Sequence, residues 1–299
     1  MVEPAGIKRR YRRGRRKNKK NSDMYIRNKV KLFHLNIRGF NSKRKSLESI
    51  LGNVSPAIVT VNETALQFKQ KPKLKNYISI NRNRTDRIMG GVATFVAASD
   101  KDSFTKISEG AQYDEYLVTR HSNFSEPLNV INVYGEQECR SSKNELEERW
   151  GRIMKEIYQI EMRGEMLILI GDLNKHTGND ELGINNNHSK ISFGGELLRG
   201  FLSSGRYICL NNSRKASGGP FTRYDPSKPI IREHMSCLDY VIISKALEPF
   251  IESLEIDSTM KYSPKRALSK SKSVTSDHFP LIVTFNERLL RKRTQRVEY

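Results

Sequence analysis

The chain predicts an α/β fold, and two features of its pattern carry that prediction. Short β-rich runs punctuated by Gly, Asn and Asp recur from Lys29 to Asn286. Between them lie segments whose apolar residues repeat at three and four positions, the period of a helix with one buried face. Strands alternating with helices argue for α/β architecture. The 299 residues suit one large domain or two modest ones.

The elements follow in order. Val30–Asn36 (VKLFHLN) alternates as a strand, and Ser42–Leu51 places Leu47, Ile50 and Leu51 on one helical face. Ala57–Val61 is an apolar strand ending at Glu63, and Ile78–Asn81 another. Gly90 and Gly91 introduce a strand at Val92–Ala98; Tyr116–Arg120 and Leu128–Val133 follow. Ser141–Arg163 is the strongest helix, with Leu146, Trp150, Ile153, Ile157 and Ile160 in a stripe suited to packing on a sheet. Met166–Ile170 is a buried strand leading into Gly171-Asp172-Leu173-Asn174. A helix at Gly195–Ser203, strands at Cys209–Leu210 and Leu238–Ile243, and a last strand at Leu281–Phe285 complete the pattern. Domain organisation reads as a basic tail over 1–28, the folded body over 29–287 and a second basic tail over 288–299.

Charge bounds the partner. The formal net charge is +20. Thirteen Lys/Arg against Glu3 and Asp23 put +11 on residues 1–31, which leaves +9 on the rest. A chain basic in body as well as tail attracts polyanions. Lys8–Lys20 (KRRYRRGRRKNKK) repels itself and reads as a nuclear localisation signal, a nucleic-acid arm, or both. Nuclear localisation is the expectation drawn from it. Cys139, Cys209 and Cys237 are odd in number and contain no Cys-x-x-Cys, so neither a disulfide framework nor a zinc module is predicted, and a reducing compartment is. No apolar run is long enough to span a bilayer.

Polar residues collect at the strand ends. Asn36 ends one strand and Glu63 follows another; Tyr134, Asp172 and Asn174 close two more; Asp239 and Asp277-His278 stand at strand starts. Sites in α/β folds gather where strand ends deliver loops onto a rigid scaffold. Singly, each residue has an ordinary reading: Asp and Asn as turn formers, Glu63 as first-turn acid of a helix, Tyr134 as a core-edge ring, Asp277-His278 as a surface pair. Their joint occurrence in one strand context is what points to a site.

LFHLNIRGF, VNET, NVYG, LIGDLN, CLDYVIIS and SDHFPL resemble, in order and spacing, the six blocks of the endonuclease/exonuclease/phosphatase (DNase I-like) superfamily. The resemblance implies a four-layer α/β sandwich of two packed mixed β-sheets flanked by helices. It implies Glu63 as the principal carboxylate for Mg²⁺ (or Mn²⁺), with Asp277 as a second carboxylate near the metal. It implies Asn36 as positioner of that carboxylate and the water, Asp172 as activator of the attacking water, and Asn174 and Tyr134 as donors to water or phosphate. Asp239 is expected to pair with His278, and His278 to donate to the phosphoryl oxygen. The chemistry suits these types. Mg²⁺ prefers oxygen donors and commonly uses one or two carboxylates plus substrate phosphate, and an imidazolium facing the phosphate offsets charge that grows in the transition state.

GDLNKHTG, with His176, is similar to the block of non-LTR (LINE-type) retrotransposon endonucleases, departing from it in Leu173 where Phe is commoner. Thr222, in GGPFTRYD, and Ser236 fall where those enzymes keep small hydroxyl residues and are expected at the nucleic-acid interface, with Lys265 and Arg266 of the basic run Lys261–Lys272. The resemblance thus implies a DNA-nicking endonuclease acting on double-stranded DNA. An abasic-site repair endonuclease and a catalytically inactive nucleic-acid-binding module are the alternatives. No YxDD reverse-transcriptase site accompanies the blocks.

Overall fold

A computed structural model of the chain describes residues 29–84, 89–111, 114–178, 190–264 and 276–286. The basic run 8–20, the positions Lys265 and Arg266, and the C-terminal tail 288–299 lie outside the described residues.

In chain order the elements are β1 (Lys31–Asn36), α1 (Phe40–Val54), β2 (Ile58–Asn62), β3 (Tyr77–Arg82), β4 (Val92–Ala97), β5 (Phe104–Glu109), β6 (Glu115–His121), β7 (Leu128–Tyr134), α2 (Lys143–Met162), β8 (Met166–Asp172), α3 (Phe193–Ser203), β9 (Tyr207–Cys209), β10 (Ala216–Ser217), β11 (Arg223–Tyr224), β12 (Met235–Ser236), β13 (Asp239–Ser244), β14 (Ile251–Ile256) and β15 (Leu281–Phe285). One sheet has the order β10-β14-β15-β1-β2-β4-β3, the other β5-β6-β7-β8-β13-β9, and β11-β12 form a small ribbon. Both large sheets are mixed: β1 runs parallel to β2 and antiparallel to β15, while β8 runs parallel to β7 and antiparallel to β13.

Strand alternation builds the layers. On β1, Phe33 and Leu35 face outward with α1 residues Phe40, Leu47 and Leu51. Leu32 faces inward with Ile58 of β2 and meets Ile168 and Ile170 of β8, Val130 of β7 and Val241 of β13. The outer face of the second sheet (Ile131, Val133, Leu167, Leu169, Tyr240, Ile242) is covered by Ile153, Ile157 and Ile160 of α2 and Leu198 and Phe201 of α3. The result is helix, sheet, sheet, helix, the four-layer sandwich expected. Each apolar side chain so buried contributes about 1.5–3 kcal/mol. The α2 start is fixed locally by a capping box, in which Ser142 accepts from the Glu145 N–H and the Glu145 carboxylate reaches back to Ser142.

Besides the two-residue strands β10, β11 and β12, two longer strands have no counterpart in the sequence pattern. β5 (FTKISE) is an edge strand with mostly exposed residues, so it lacks an apolar run. β14 (IESLEI) alternates charged and buried residues over one short element. Leu210, expected in a strand, begins a 3₁₀ turn after β9.

Candidate active site

The inward-facing positions change character along the strands. In β1 the inward series runs Leu32, His34, Asn36; in β2 it runs Ile58, Thr60, Asn62; in β7 it runs Leu128, Val130, Asn132, Tyr134; in β8 it runs Ile168, Ile170, Asp172. One end of the inter-sheet layer is hydrocarbon and the other is polar. A side-chain period of two places these groups on one face, and the two sheets bring both series together.

Asn36 is the central bridge. Its Nδ2 donates to Glu63 Oε1 at 2.9 Å and to Asp172 Oδ2 at 2.8 Å. Tyr134 donates its hydroxyl to the same Glu63 oxygen at 3.0 Å. The expected phosphate donor is thus turned onto the carboxylate, and burial with the Glu63 charge pushes the phenol pKa upward. Asn174 donates through its backbone N–H to Asp172 Oδ1 at 3.0 Å and through Nδ2 to Gly135 O at 2.7 Å. A Cβ on Gly135 would lie 2.2 Å from Leu173 O, so only glycine lets these strand ends close up.

His278 stands between two aspartates. Its Nδ1 is 2.8 Å from Asp239 Oδ2 and its Nε2 is 3.7 Å from Asp172 Oδ2. Burial acts to lower the ring's pKa, but the charges of Asp239 and Asp172 and the Asp239 hydrogen bond outweigh it and raise it to about 9. Burial dominates at Asp172 and holds that carboxyl above the usual carboxylate range. At Asp239 burial is overcome by the charge and hydrogen bond of His278, and the pKa falls.

Asp277 is engaged on both oxygens. Arg38 Nη1 lies 2.8 Å from Oδ1 and Arg223 Nε 3.0 Å from Oδ2. Burial opposes ionisation, while His278 and Arg38 favour it, with a net lowering. Arg38, Glu63, Tyr134, Arg140, Asp172, Asn174, Arg223, Asp277 and His278 share one pocket of about 210 Å³.

Arg38, Glu63 and Asn174 all adopt left-handed backbone, with φ of 47°, 50° and 51°. Such strain costs about 1–3 kcal/mol per non-glycine residue and persists where surroundings impose it. The turn after β1 is tied to the turn after β2 by Gly39 N to Glu63 O and Phe40 N to Thr64 O bonds.

Thr222 and Ser236, expected at the nucleic-acid interface, are both buried. Thr222 has no exposed surface, and its Oγ1 accepts from the backbone N–H of Leu238 (3.0 Å) and Asp239 (2.9 Å). Ser236 is 5% exposed on β12. They sit behind Asp239, where the Thr222 hydroxyl holds the backbone at the start of β13. His176 accepts from the Ser192 N–H through its carbonyl and donates its own N–H to Ser192 Oγ at the start of α3, and does not line the pocket.

Other residues of the site were not singled out in the sequence. Asn62 Oδ1 accepts from Asp172 N at 2.8 Å, and Asn62 Nδ2 donates to Asn132 Oδ1 at 2.8 Å. Asn211 brackets the backbone of β13 by donating to Asp239 O and accepting from Val241 N, each at 2.9 Å. His34, fully buried, has Nδ1 2.9 Å from Thr60 Oγ1 and Nε2 3.7 Å from Asp239 Oδ1. The available signal was an Asn or His at an inward position of an otherwise apolar strand.

Two opposed mixed sheets with a carboxylate-rich pocket at their polar end make the chain an α/β sandwich of the DNase I-like class. The chain belongs to the Endonuclease/Exonuclease/phosphatase family, whose sequence profile matches residues 33–278. Among solved structures it is similar to the 3' phosphatase NExo from Neisseria bound to product DNA hairpin (TM-score 0.64, 19% identity, 86% of this chain and 99% of that one). It is also similar to the AP endonuclease LMAP from Leishmania major (0.66, 16%, 86% and 87%). A third likeness is to the endonuclease domain of TRAS1, a telomere-specific non-LTR retrotransposon (0.59, 13%, 87% and 99%). No curated protein matches it in sequence.

Proposed function

We propose that the chain is a Mg²⁺-dependent (or Mn²⁺-dependent) endonuclease of non-LTR retrotransposon type that nicks double-stranded DNA. The observation that carries this reading is the convergence of Glu63, Asn36, Asp172 and the Asp239–His278 pair on one pocket. The donor set fits a hard cation: Glu63 spends Oε1 on Asn36 and Tyr134, and Glu63 and Asp172 both line the pocket. Asp172, Asp239 and His278 also present ligand atoms within 4.8 Å of one another, but the 2.8 Å bond between the last two makes them a proton-holding pair. A bound divalent ion would polarise the phosphoryl oxygen and steady the leaving oxygen.

The chain's own residues supply the rest. Asp172, its pKa raised by burial, takes the proton of the attacking water. Asp239 fixes the ring of His278 through Nδ1, so Nε2 presents its proton to the phosphoryl oxygen. Asn36 keeps Glu63 and Asp172 in register. Nucleic acid as substrate follows from the basic charge of body and tail. The GDLNKHTG block favours the retroelement type over abasic-site repair.

Supercoiled plasmid should be nicked in Mg²⁺ or Mn²⁺, with activity abolished by chelation and by Glu63→Ala or His278→Ala. An absence of nicking with either ion overturns the reading. An abasic oligonucleotide cut far faster than intact duplex would move the assignment to repair. DNA binding without turnover, unchanged in Glu63→Ala, would mark an inactive binding module.

A further inference from the structure

We propose that Arg38 and Arg223, gripped by Asp277 between them, form a clamp at the mouth of the pocket for a backbone phosphate of the nucleic acid. The substrate class rests on the nuclease reading above; the clamp rests on the geometry of three side chains.

Asp277 has only 3% of its side chain exposed, whereas Arg38 shows 44% and Arg223 36%. The carboxylate is sunk and the two cations reach past it. Arg38 comes from the strained turn after β1, and Arg223 from β11, where its backbone bridges to His278. Two separate parts of the fold therefore deliver one guanidinium each to the same carboxylate. Each makes a single close contact, through Nη1 of Arg38 and Nε of Arg223. A guanidinium carries five N–H donors in a planar fork that matches an oxyanion. Most of that donor capacity remains at the pocket wall, beside His278.

Charge points the same way. Asp277 balances one of two permanent cations at close range, and Glu63 acts on Arg38 from farther off, so Arg223 is the guanidinium left with most of its charge for an anion. Stability alone does not account for the arrangement. Partly exposed ion pairs stabilise little, and one arginine would satisfy a buried carboxylate. Pre-oriented arginines are well suited to phosphate, because charge-assisted and bidentate bonds add geometry to attraction. Asp277 is the positioning residue that fixes the spacing of the two forks.

The test is equilibrium binding of a labelled DNA duplex to the full chain in EDTA, followed by fluorescence anisotropy over a range of salt. Arg38→Met and Arg223→Met should each weaken binding about tenfold. Each should also reduce the slope of log K against log salt by about 1. Arg38→Lys should restore most of the slope and only part of the affinity, since charge returns without the fork. Arg206→Met, which removes an exposed arginine paired with Glu161 outside the pocket, should leave both unchanged. Folded Arg38 and Arg223 variants that bind with wild-type affinity and slope overturn the clamp, while plasmid nicking by the wild type would leave the nuclease reading standing. A wild type that neither binds nor nicks DNA overturns both.

Discussion

Asp239 Oδ2 holds His278 Nδ1 at 2.8 Å, and this bond ties the start of β13 to the segment before β15 across the gap between the sheets. The imidazole is thereby fixed in tautomer and direction, with Nε2 turned toward Asp172. Asp239→Asn keeps the shape but removes the charge that favours the protonated ring. It should lower the nicking rate constant by about 10²–10⁴ with a smaller effect on DNA affinity. Single-turnover rates alongside binding constants check this.

The pH profile follows from the same groups. The His278 pKa is raised from 6.5 to about 9, so the proton donor is lost as pH rises through about 9. The Asp172 pKa is raised chiefly by burial, so its base form is lost on the acid side at a pH above the ordinary carboxylate range. A bell-shaped rate profile should result. The stability sign is fixed too. A raised histidine pKa contributes stability that is full below 6.5 and disappears as pH rises through about 9. Thermal unfolding from pH 6 to 10 should show a larger loss in the wild type than in His278→Ala, in which the contribution of buried Asp172 remains.

Asp172→Asn should separate activity from stability. Burial of the ionised carboxylate opposes folding at neutral pH, whereas an amide has a single acceptor oxygen and keeps only one of the two bonds, that of Oδ2 from Asn36 or that of Oδ1 from the Asn174 N–H, with its NH2 turned toward the other donor. The variant should lose nicking while its melting temperature stays within about 2–4 °C of wild type, the shift expected of about 1 kcal/mol in a domain of this size, because relief of the buried charge and loss of one bond oppose each other. A fall of several degrees would show that the carboxylate contributes to the fold.

Thr222→Val should act through the backbone of β13 and not through DNA. Losing Oγ1 strands the buried N–H groups of Leu238 and Asp239 and should cost about 2–3 kcal/mol. Thr222→Ser should restore both stability and rate. DNA affinity in EDTA should be unchanged in either variant, as measured by anisotropy beside denaturant unfolding.

Asn132→Leu should damage the site from the side of the second sheet. Asn132 accepts from Asn62 and donates to Val61 O and Ala93 O, at 3.3 and 3.0 Å, and Asn62 in turn holds the backbone N–H of Asp172. Removing the amide leaves buried partners unpaired and should destabilise by about 2–4 kcal/mol. Urea unfolding would register it, together with a lower nicking rate.

Much of this was legible in the chain. Runs such as VKLFHLN and MLILI are strands because β-branched and aliphatic residues fit a pleated surface buried on both faces. The α2 stripe is helical because its apolar residues recur at helical spacing above a capping box. Glu63, Asp172, Asn174 and His278 were readable because chemistry at strand ends leaves polar residues where turn residues also stand, and only their joint order distinguishes the two. β5 and β14 were not readable, since an edge strand and a charged alternating one carry little hydrophobic signal.

The sequence by itself determined the period-two alternation, and with it which residues of each strand share a face. Only the tertiary structure decided which faces meet. Packing two sheets set Asn36 against Asp172, 136 positions along the chain, and His278 against Asp239. It sank Thr222 behind the site and gave Asp277 two arginines, one from the turn after β1 and one from β11. These pairings depend on where distant backbone segments are brought together, and burial at those points fixes which groups are charged.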